Sequence, residues 1–144
     1  MTKLNFTLAI LLSIITVSAC KKDEQTDDKY EQLIGKKWKI VSITEDGREV
    51  LATKFTPCVI DDYFVFSPNN TYSNNEGISK CNPGDPQVKD VGSWSIAGDV
   101  LYMQSNALPV KSSVNIKELT SSKMVLLHTN YSANSIEIKT YVPE

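Results

Sequence analysis

One stretch of the sequence, residues 58–103, limits the fold more than any other part of the chain. Short runs of apolar or alternating residues are separated there by turn sequences rich in Pro, Asn, Gly and Asp. The runs are 63–66, 93–96 and 100–103, and the turns are 67–70, 82–86 and 97–99. β-prone runs at this spacing, bounded by turn residues, predict an antiparallel β-meander.

The length and charge of the chain restrict its size class and its partners. A sequence of 144 residues is long enough for one domain. The net charge is −2, which argues against the basic surface that nucleic-acid phosphates require. Arg48 is the only arginine, so a bidentate arginine clamp for a carboxylate or phosphate is hardly available. We therefore expect no nucleic-acid partner.

Residues 1–19 have the three parts of a secretory signal peptide. Lys3 gives a charged start, an apolar run follows at 8–17, and small residues occupy positions 18 and 19. The apolar run is shorter than the about 20 residues that a spanning helix needs, so we favour a signal peptide over a transmembrane anchor.

The four residues Val-Ser-Ala-Cys at 17–20 resemble the lipobox of bacterial lipoproteins. In that family the cysteine is acylated and the peptide before it is removed, which implies a membrane anchor on Cys20. A secreted protein with a free Cys20 is the alternative. The lysines and acidic residues that follow also resemble a surface-export signal of lipoproteins in one Gram-negative phylum. We therefore expect a lipid anchor in the outer membrane, at the cell surface or the periplasmic face.

The rest of the chain divides into a tether and a domain. Residues 20–33 are predicted to be the lipidated cysteine and a flexible polar tether, because residues 21–29 contain no apolar side chain. Residues 34–144 form the domain, in which no helical period of useful length appears. Asp46-Gly47 predicts a tight type I′ hairpin turn. Residues 48–55 fit a short strand or a brief helix equally well.

The predicted fold class is all-β, an antiparallel up-and-down barrel of roughly eight strands, each beside its neighbour in sequence. Closure removes the exposed edges that such a sheet would otherwise have. An immunoglobulin-type sandwich is the rival, and it expects a Trp between two cysteines. Trp38 precedes Cys58 and Cys81, whereas Trp94 follows both. We expect Trp38 and Trp94 to be structural anchors of the closed sheet.

Several features in this order resemble the lipocalin-like domain lipoproteins of Gram-negative bacteria. They are Gly-Lys-Lys-Trp at 35–38, the Cys58 and Cys81 pair, Asp-Tyr-Phe-Val-Phe at 62–66 followed by Asn-Asn-Thr-Tyr, and Gly-Ser-Trp-Ser-Ile at 92–96. The resemblance covers about residues 34–144 and implies a small lipocalin-like barrel. The chain departs from true lipocalins in the Gly-to-Trp spacing, in lacking a late Arg that packs on that Trp, and in lacking a helix after the barrel.

Cysteine parity and residue type suggest a small set of functional residues. With Cys20 assigned to lipidation, Cys58 and Cys81 remain as an even pair, and we expect a disulfide in an exported domain. His128 is the only histidine and shares a strand face with two apolar residues, so it is a hydrogen-bonded barrel residue or a ligand contact. The candidate ligand contacts are Tyr63, Phe66, Tyr102 and His128.

A group of acidic residues offers a second candidate site. Its members are Asp61, Asp62, Glu76, Asp85 and Asp90. They lack the fixed spacing of a calcium-binding loop. They could supply the paired carboxylates that a glycosidase needs, but carboxylates are common in turns. We interpret them as solvated turn residues and expect no metal, cofactor or catalytic residue.

These observations favour a non-catalytic binding module. The barrel would hold a small apolar or amphipathic molecule, and the protein would be a monomer attached to the membrane through acylated Cys20. A structural or protein-interaction lipoprotein with a filled, ligand-free barrel is the alternative, and a hydrolase is the third hypothesis. An apolar cavity with few polar groups would separate the first hypothesis from the second.

Overall fold

The computed structural model describes residues 24–130 and 134–144. The predicted signal peptide and Cys20 lie outside these residues and stay predictions. The elements of the described part are α1 Glu24–Leu33, β1 Lys37–Glu45, β2 Arg48–Glu49, α2 Leu51–Lys54, α3 Pro57–Ile60, β3 Tyr63–Phe66, β4 Thr71–Asn75, β5 Val88–Ala97, β6 Val100–Ser105, β7 Lys111–Leu119, β8 Met124–Asn130 and β9 Ser135–Pro143. Within these ranges no helix has the length and apolar character needed to cross a bilayer.

The strands form one antiparallel sheet that closes on itself. From β3 to β9 each strand pairs with the next one in sequence, and β1 pairs with β3. β9 returns to pair with β1, from Trp38 opposite Pro143 to Glu45 opposite Glu137. β1 and β3–β9 therefore form an eight-stranded barrel. The two residues of β2 pair antiparallel with the last two residues of β1. The prediction of an all-β up-and-down barrel is confirmed.

The turn after β1 follows from its two residues. Asp46 and Gly47 have φ values of 47° and 81°, both positive as a type I′ turn requires. The segment that follows contains both of the predicted alternatives, a two-residue strand and a short helix. Glu49 in β2 connects β1 to α2, because its Oε1 accepts hydrogen bonds from the backbone N–H of Ile43 at 3.1 Å and of Leu51 at 3.0 Å.

A bulge in β1 changes which residues face the barrel interior. The pairing with β9 shifts register between Ile40 and Ser42, so Val41 is an extra residue and 48% of its surface is exposed. Trp38 before the bulge and Ile43 after it are both fully buried. The bulge explains why apolar residues occur on both apparent faces of this strand in the sequence.

A helix occupies most of the predicted tether. Leu33, the last residue of α1, is fully buried, and its carbonyl oxygen accepts a hydrogen bond from Trp38 Nε1 at 2.8 Å. The Tyr30 ring stacks on Trp94 with centroids 5.2 Å apart. The prediction of a flexible tether over 20–33 is therefore wrong from Glu24 onward. Tyr30 and Leu33 lie three residues apart, a spacing that places both on one helix face.

The two ends of the barrel differ. The tight turns at 67–70, 98–99 and 120–123 lie at one end, which we call the closed end. The longer connections at 50–62, 76–87 and 106–110 lie at the other end, which we call the mouth. α1 packs across the closed end, where the Tyr30 hydroxyl donates a hydrogen bond to the carbonyl oxygen of Pro68.

The main core lies just inside the closed end. Trp94 is 3% exposed, its ring meets the Phe66 ring edge-on with centroids 5.6 Å apart, and its Nε1 donates to the Ser67 carbonyl at 3.2 Å. Both tryptophans are thus buried with their indole N–H groups hydrogen-bonded. Their contribution to stability stays a prediction.

Candidate functional site

The barrel holds a cavity of about 270 Å³ between its core and its mouth. Toward the closed end its wall is apolar and aromatic, formed by Phe66, Tyr72, Val114, Met124 and Tyr141. Nearer the mouth the wall combines apolar and polar side chains, namely Phe64, Met103, Leu126, Asn74, Asp90, Ser112, His128 and Lys139. Alternate residues of each strand point inward, and this places the wall residues two apart along each strand.

A smaller cavity of about 200 Å³ adjoins the first on the side of β1. The two share the wall residues Phe64, Asn74, Lys139 and Tyr141. Phe55 and Val59, from the segment that contains α2 and α3, complete the wall of the smaller cavity. This helical segment therefore covers one side of the mouth.

A disulfide holds the helical segment in place. Cys58 in α3 is bonded to Cys81 in the connection between β4 and β5, with Cα atoms 5.2 Å apart. The predicted disulfide is confirmed. Because it ties α3 to a second loop of the mouth, it limits how far α2 and α3 can move away from the cavities.

Asp90 is fixed in the cavity wall by two hydroxyl groups. Tyr72 donates a hydrogen bond to its Oδ2 at 2.8 Å, and Ser105 donates to its Oδ1 at 2.7 Å. Burial, with a further contribution from the hydrogen bond to Asp90, raises the pKa of Tyr72 to about 12. Tyr72 therefore stays a protonated donor at physiological pH, and it holds the carboxylate in one orientation.

Gly92 allows the Tyr72 ring to lie against β5. Tyr72 and Gly92 are direct partners across β4 and β5. A Cβ atom on Gly92 would lie 2.6 Å from Tyr72 Cε1 and 2.1 Å from the carbonyl oxygen of Gln104. The glycine thus has a packing role, and it is the glycine of the Gly-Ser-Trp-Ser-Ile motif.

A chain of ion pairs lines the mouth beside β9. Glu137 contacts Lys139 Nζ at 2.9 Å and Lys54 Nζ at 2.7 Å, and Lys54 also lies 3.3 Å from Glu45. Burial acts to raise the pKa of Glu137, but hydrogen bonds from the two lysines outweigh it and hold this pKa below its usual range. The network connects α2 to β1 and β9 at the entrance to the cavity.

His128 lies in the cavity wall on the same face as Met124 and Leu126, the face that the sequence indicates. Burial, and then the positive charge of Lys139, lower the pKa of His128, with partial compensation by Glu137. The imidazole is therefore neutral at pH 7, where it offers one hydrogen-bond donor and one acceptor.

Asn74 contributes an unsatisfied polar atom to both cavities. Its side-chain Oδ1 is buried and has no hydrogen-bond partner among the described residues. A buried acceptor without a donor costs about 1–3 kcal/mol. A ligand group that donates a hydrogen bond to Asn74 Oδ1 would remove this cost and stabilise the site.

Two of the predicted ligand contacts point away from the cavity. Their neighbours Phe64 and Met103 line it, so Tyr63 and Tyr102 lie on the outer face of the barrel. There Lys37 Nζ lies 4.9 Å from the Tyr63 ring centroid, and Lys111 Nζ lies 4.2 Å from that of Tyr102. The prediction that these tyrosines contact a ligand in the barrel is wrong. The cause is that consecutive bulky residues occupy both faces of β3 and β6.

The acidic residues are held by different partners, Asp90 by Tyr72 and Ser105, and Asp62 and Glu76 by Lys89. Lys89 Nζ lies 2.7 Å from Asp62 Oδ2 and 3.2 Å from Glu76 Oε1, and the side chain of Glu76 is 1% exposed. The interpretation as solvated turn residues is wrong for Asp62, Glu76 and the wall residue Asp90. In the ranges 24–130 and 134–144, no three residues of the His, Cys, Asp and Glu types are placed to hold a metal ion.

Three polar wall residues were missed from the sequence, namely Asn74, Ser112 and Lys139. The alternation along β9 carries the signal for Lys139, because it lies two residues from the buried Tyr141 and pairs with Leu126. The same alternation gives a signal for Ser112, which lies two residues before the buried Val114, and for Asn74, which lies two residues after the buried Tyr72.

Comparison with known proteins identifies the family. A search of curated proteins finds no significant match. The model of the family described as Lipocalin-like domain matches residues 33–126, from the last residue of α1 into β8. Since this match spans more than half of the chain and the barrel closes as that fold requires, the protein belongs to the lipocalin-like domain family.

Proposed function

We propose that the protein is a non-catalytic binding lipoprotein, anchored in the outer membrane through acylated Cys20, that holds a small amphipathic molecule inside its barrel. The observation that carries this proposal is the cavity of about 270 Å³, with its apolar wall toward the closed end and its polar groups near the mouth. A lipocalin-like barrel is a fold suited to a binding module, and concave apolar sites with a few placed polar groups are typical of ligand pockets.

The distribution of wall residues indicates how such a ligand would lie. Its apolar part would pack toward Phe66 and Met124 at the inner end, where no charged wall residue is present among the described residues. Its polar part would lie near the mouth. The cavity is slightly below the about 300 Å³ at which ligand pockets usually begin, so the ligand would be small.

The polar part of the wall contains both donors and acceptors. Lys139 Nζ and the neutral imidazole of His128 can donate, whereas Asp90 and the unpartnered Oδ1 of Asn74 can accept. Lys139 is already paired with Glu137, so its charge is partly compensated. These groups favour a polar end that carries a hydroxyl, amide or similar neutral group over one with a strong net charge.

The cavity also bears on the alternative of a ligand-free structural barrel. That alternative predicts an interior filled along its whole length, as at Trp38, Phe66 and Trp94. The interior is filled in this way near the closed end and open further toward the mouth. This difference supports the binding proposal.

Two neighbouring serines provide a matched test. Ser112 lines the cavity, whereas Ser113 faces outward one residue later on β7. We expect mass spectrometry to detect a co-purifying small molecule with the wild-type protein and with Ser113→Phe, but not with Ser112→Phe, whose ring would occupy the cavity. Equal binding of an apolar fluorescent probe by both variants would contradict a ligand site in the barrel.

A further inference from the structure

We propose that the closed end of the barrel faces the membrane that holds Cys20, and that the mouth opens away from this membrane into the aqueous phase. The inference rests on the proposed lipidation of Cys20 and deepens it. It assigns the surface of the protein that meets the lipid and the side from which a ligand reaches the cavity.

α1 contacts two turns of the closed end. Lys29 Nζ donates a hydrogen bond to the carbonyl oxygen of Gly98 at 3.1 Å and pairs with Asp99, both in the turn between β5 and β6. The Tyr30 hydroxyl donates to the carbonyl oxygen of Pro68 in the turn between β3 and β4. Both turns belong to the closed end, so the chain enters the domain there.

The chain between Cys20 and α1 is short. Only residues 21–23 separate Cys20 from Glu24, the first residue of α1. Four Cα-to-Cα steps span at most about 14 Å. The ten residues of β5 span about 33 Å at about 3.3 Å per residue, and about 25 Å of this lies along the barrel axis at the usual strand tilt. Lys29 is held at the closed end, Glu24 lies about 7.5 Å from it along α1, and the four steps to Cys20 add about 14 Å, so the anchor reaches at most about 22 Å and does not reach the mouth.

The three most exposed large apolar side chains of the described residues lie at the opposite end. Ile78 is 92% exposed, Leu108 is 62% exposed and Val110 is 71% exposed, and all three belong to connections at the mouth. The closed-end turn at 120–123 reads Thr-Ser-Ser-Lys and is exposed and polar, which suits contact with lipid headgroups. In the proposed orientation a ligand enters from the aqueous phase, and it does not enter directly from the bilayer that holds the anchor.

Two exposed alanines at opposite ends allow a direct test. Ala97 precedes the closed-end turn after β5, and Ala107 lies in the mouth connection after β6. Ala97→Cys and Ala107→Cys are made in the full, acylated chain, labelled with a donor dye, and placed on phosphatidylethanolamine and phosphatidylglycerol vesicles with acceptor-labelled headgroups. We expect energy transfer from position 97 to be at least about twofold higher, given the height of the strands. Equal transfer, or higher transfer from position 107, would overturn the orientation.

Two controls separate the inference from the proposal that it rests on. Flotation of the unlabelled wild-type chain with vesicles tests the anchor itself. If it does not float, the anchoring proposal fails and the orientation fails with it, whereas flotation with equal transfer overturns the orientation alone. A flexible Gly-Ser insert of about 20 residues after Lys22 is expected to remove the difference in transfer. A difference that persists with this insert would contradict the short tether as its cause.

Discussion

Trp38 Nε1 donates a hydrogen bond to the carbonyl oxygen of Leu33 at 2.8 Å, and both residues are fully buried. The carbonyl groups in the last turn of a helix lack partners within the helix, so the indole satisfies one that would otherwise be buried without a donor. The bond joins α1 to β1 at the closed end. On the Trp38 ring, Lys36 Nζ lies 5.6 Å from the centroid and forms a cation–π contact.

Replacement of the other tryptophan tests the packing of the closed end. Trp94 is buried against Tyr30 and Phe66, so we expect Trp94→Ala to lower the free energy of unfolding by about 3–5 kcal/mol. Such a loss is a large share of a typical total of about 5–15 kcal/mol. Urea denaturation measures it, with the outer-face variant Tyr102→Ala as control. An unchanged urea midpoint for Trp94→Ala would contradict the role of this side chain in packing the closed end.

The close approach of Tyr72 to β5 predicts a strong effect at a glycine. In Gly92→Ala the new methyl group would overlap the Gln104 carbonyl oxygen and the Tyr72 ring, and we expect a loss of about 1–3 kcal/mol or more. Gly84→Ala is the matched control, because a Cβ atom there has no neighbour within 4 Å. Equal melting temperatures for the two variants would refute the packing role of Gly92.

The disulfide predicts a difference in local mobility. Cys58 and Cys81 are 23 residues apart, and closing a loop of this size stabilises a folded protein by roughly 3 kcal/mol in the chain-entropy model. The double variant Cys58→Ala with Cys81→Ala is expected to lose about this amount and to exchange the backbone amides of residues 50–62 faster. Unchanged exchange in this segment would show that the bond does not hold α2 and α3 over the cavity.

The lowered pKa of His128 predicts a pH dependence of stability. Between its usual value of about 6.5 and its lower value in the folded protein, the unfolded chain binds more protons. The free energy of unfolding therefore falls as the pH drops through this window. Glu137, whose pKa is also lowered, contributes to a loss of stability only at more acidic pH.

Urea midpoints at pH 7.5, 6.5 and 5.5 measure this effect. We expect the wild-type protein to lose stability across this range and His128→Asn to lose less. Parallel pH profiles for the two proteins would mean that His128 titrates as it does in the unfolded chain.

The lipid anchor predicts a change in fractionation. Cys20→Ala removes the thiol that would be acylated, so we expect the variant in the soluble fraction while the wild-type protein stays with membranes. With the acyl chains absent, a net charge of −2 gives no attraction to anionic lipids. Retention of the variant on washed membranes would rule out acylation of Cys20 as the attachment.

The chemistry of neighbouring residues was sufficient to predict several features of the fold. The positive φ values of Asp46 and Gly47 are a property of two residues, so the hairpin after β1 was predictable. The strand at 100–105 depends on its own residues and on the turns beside it. The pairing of Cys58 with Cys81 was predicted from cysteine parity and from the expectation of an exported domain.

The sequence by itself therefore determined the fold class and the turns, because short runs and neighbouring residues specify them, and the disulfide, because cysteine parity left one pairing. Tertiary structure decided which faces point inward. The bulge at Val41 reverses the face of β1, and in β3 the closure of the barrel directs Phe64 inward and Tyr63 outward. α1 is folded because Leu33 and Tyr30 have the buried Trp38 and Trp94 to pack against. Such contacts join residues distant in sequence, and a short polar helix is marginal in water without them.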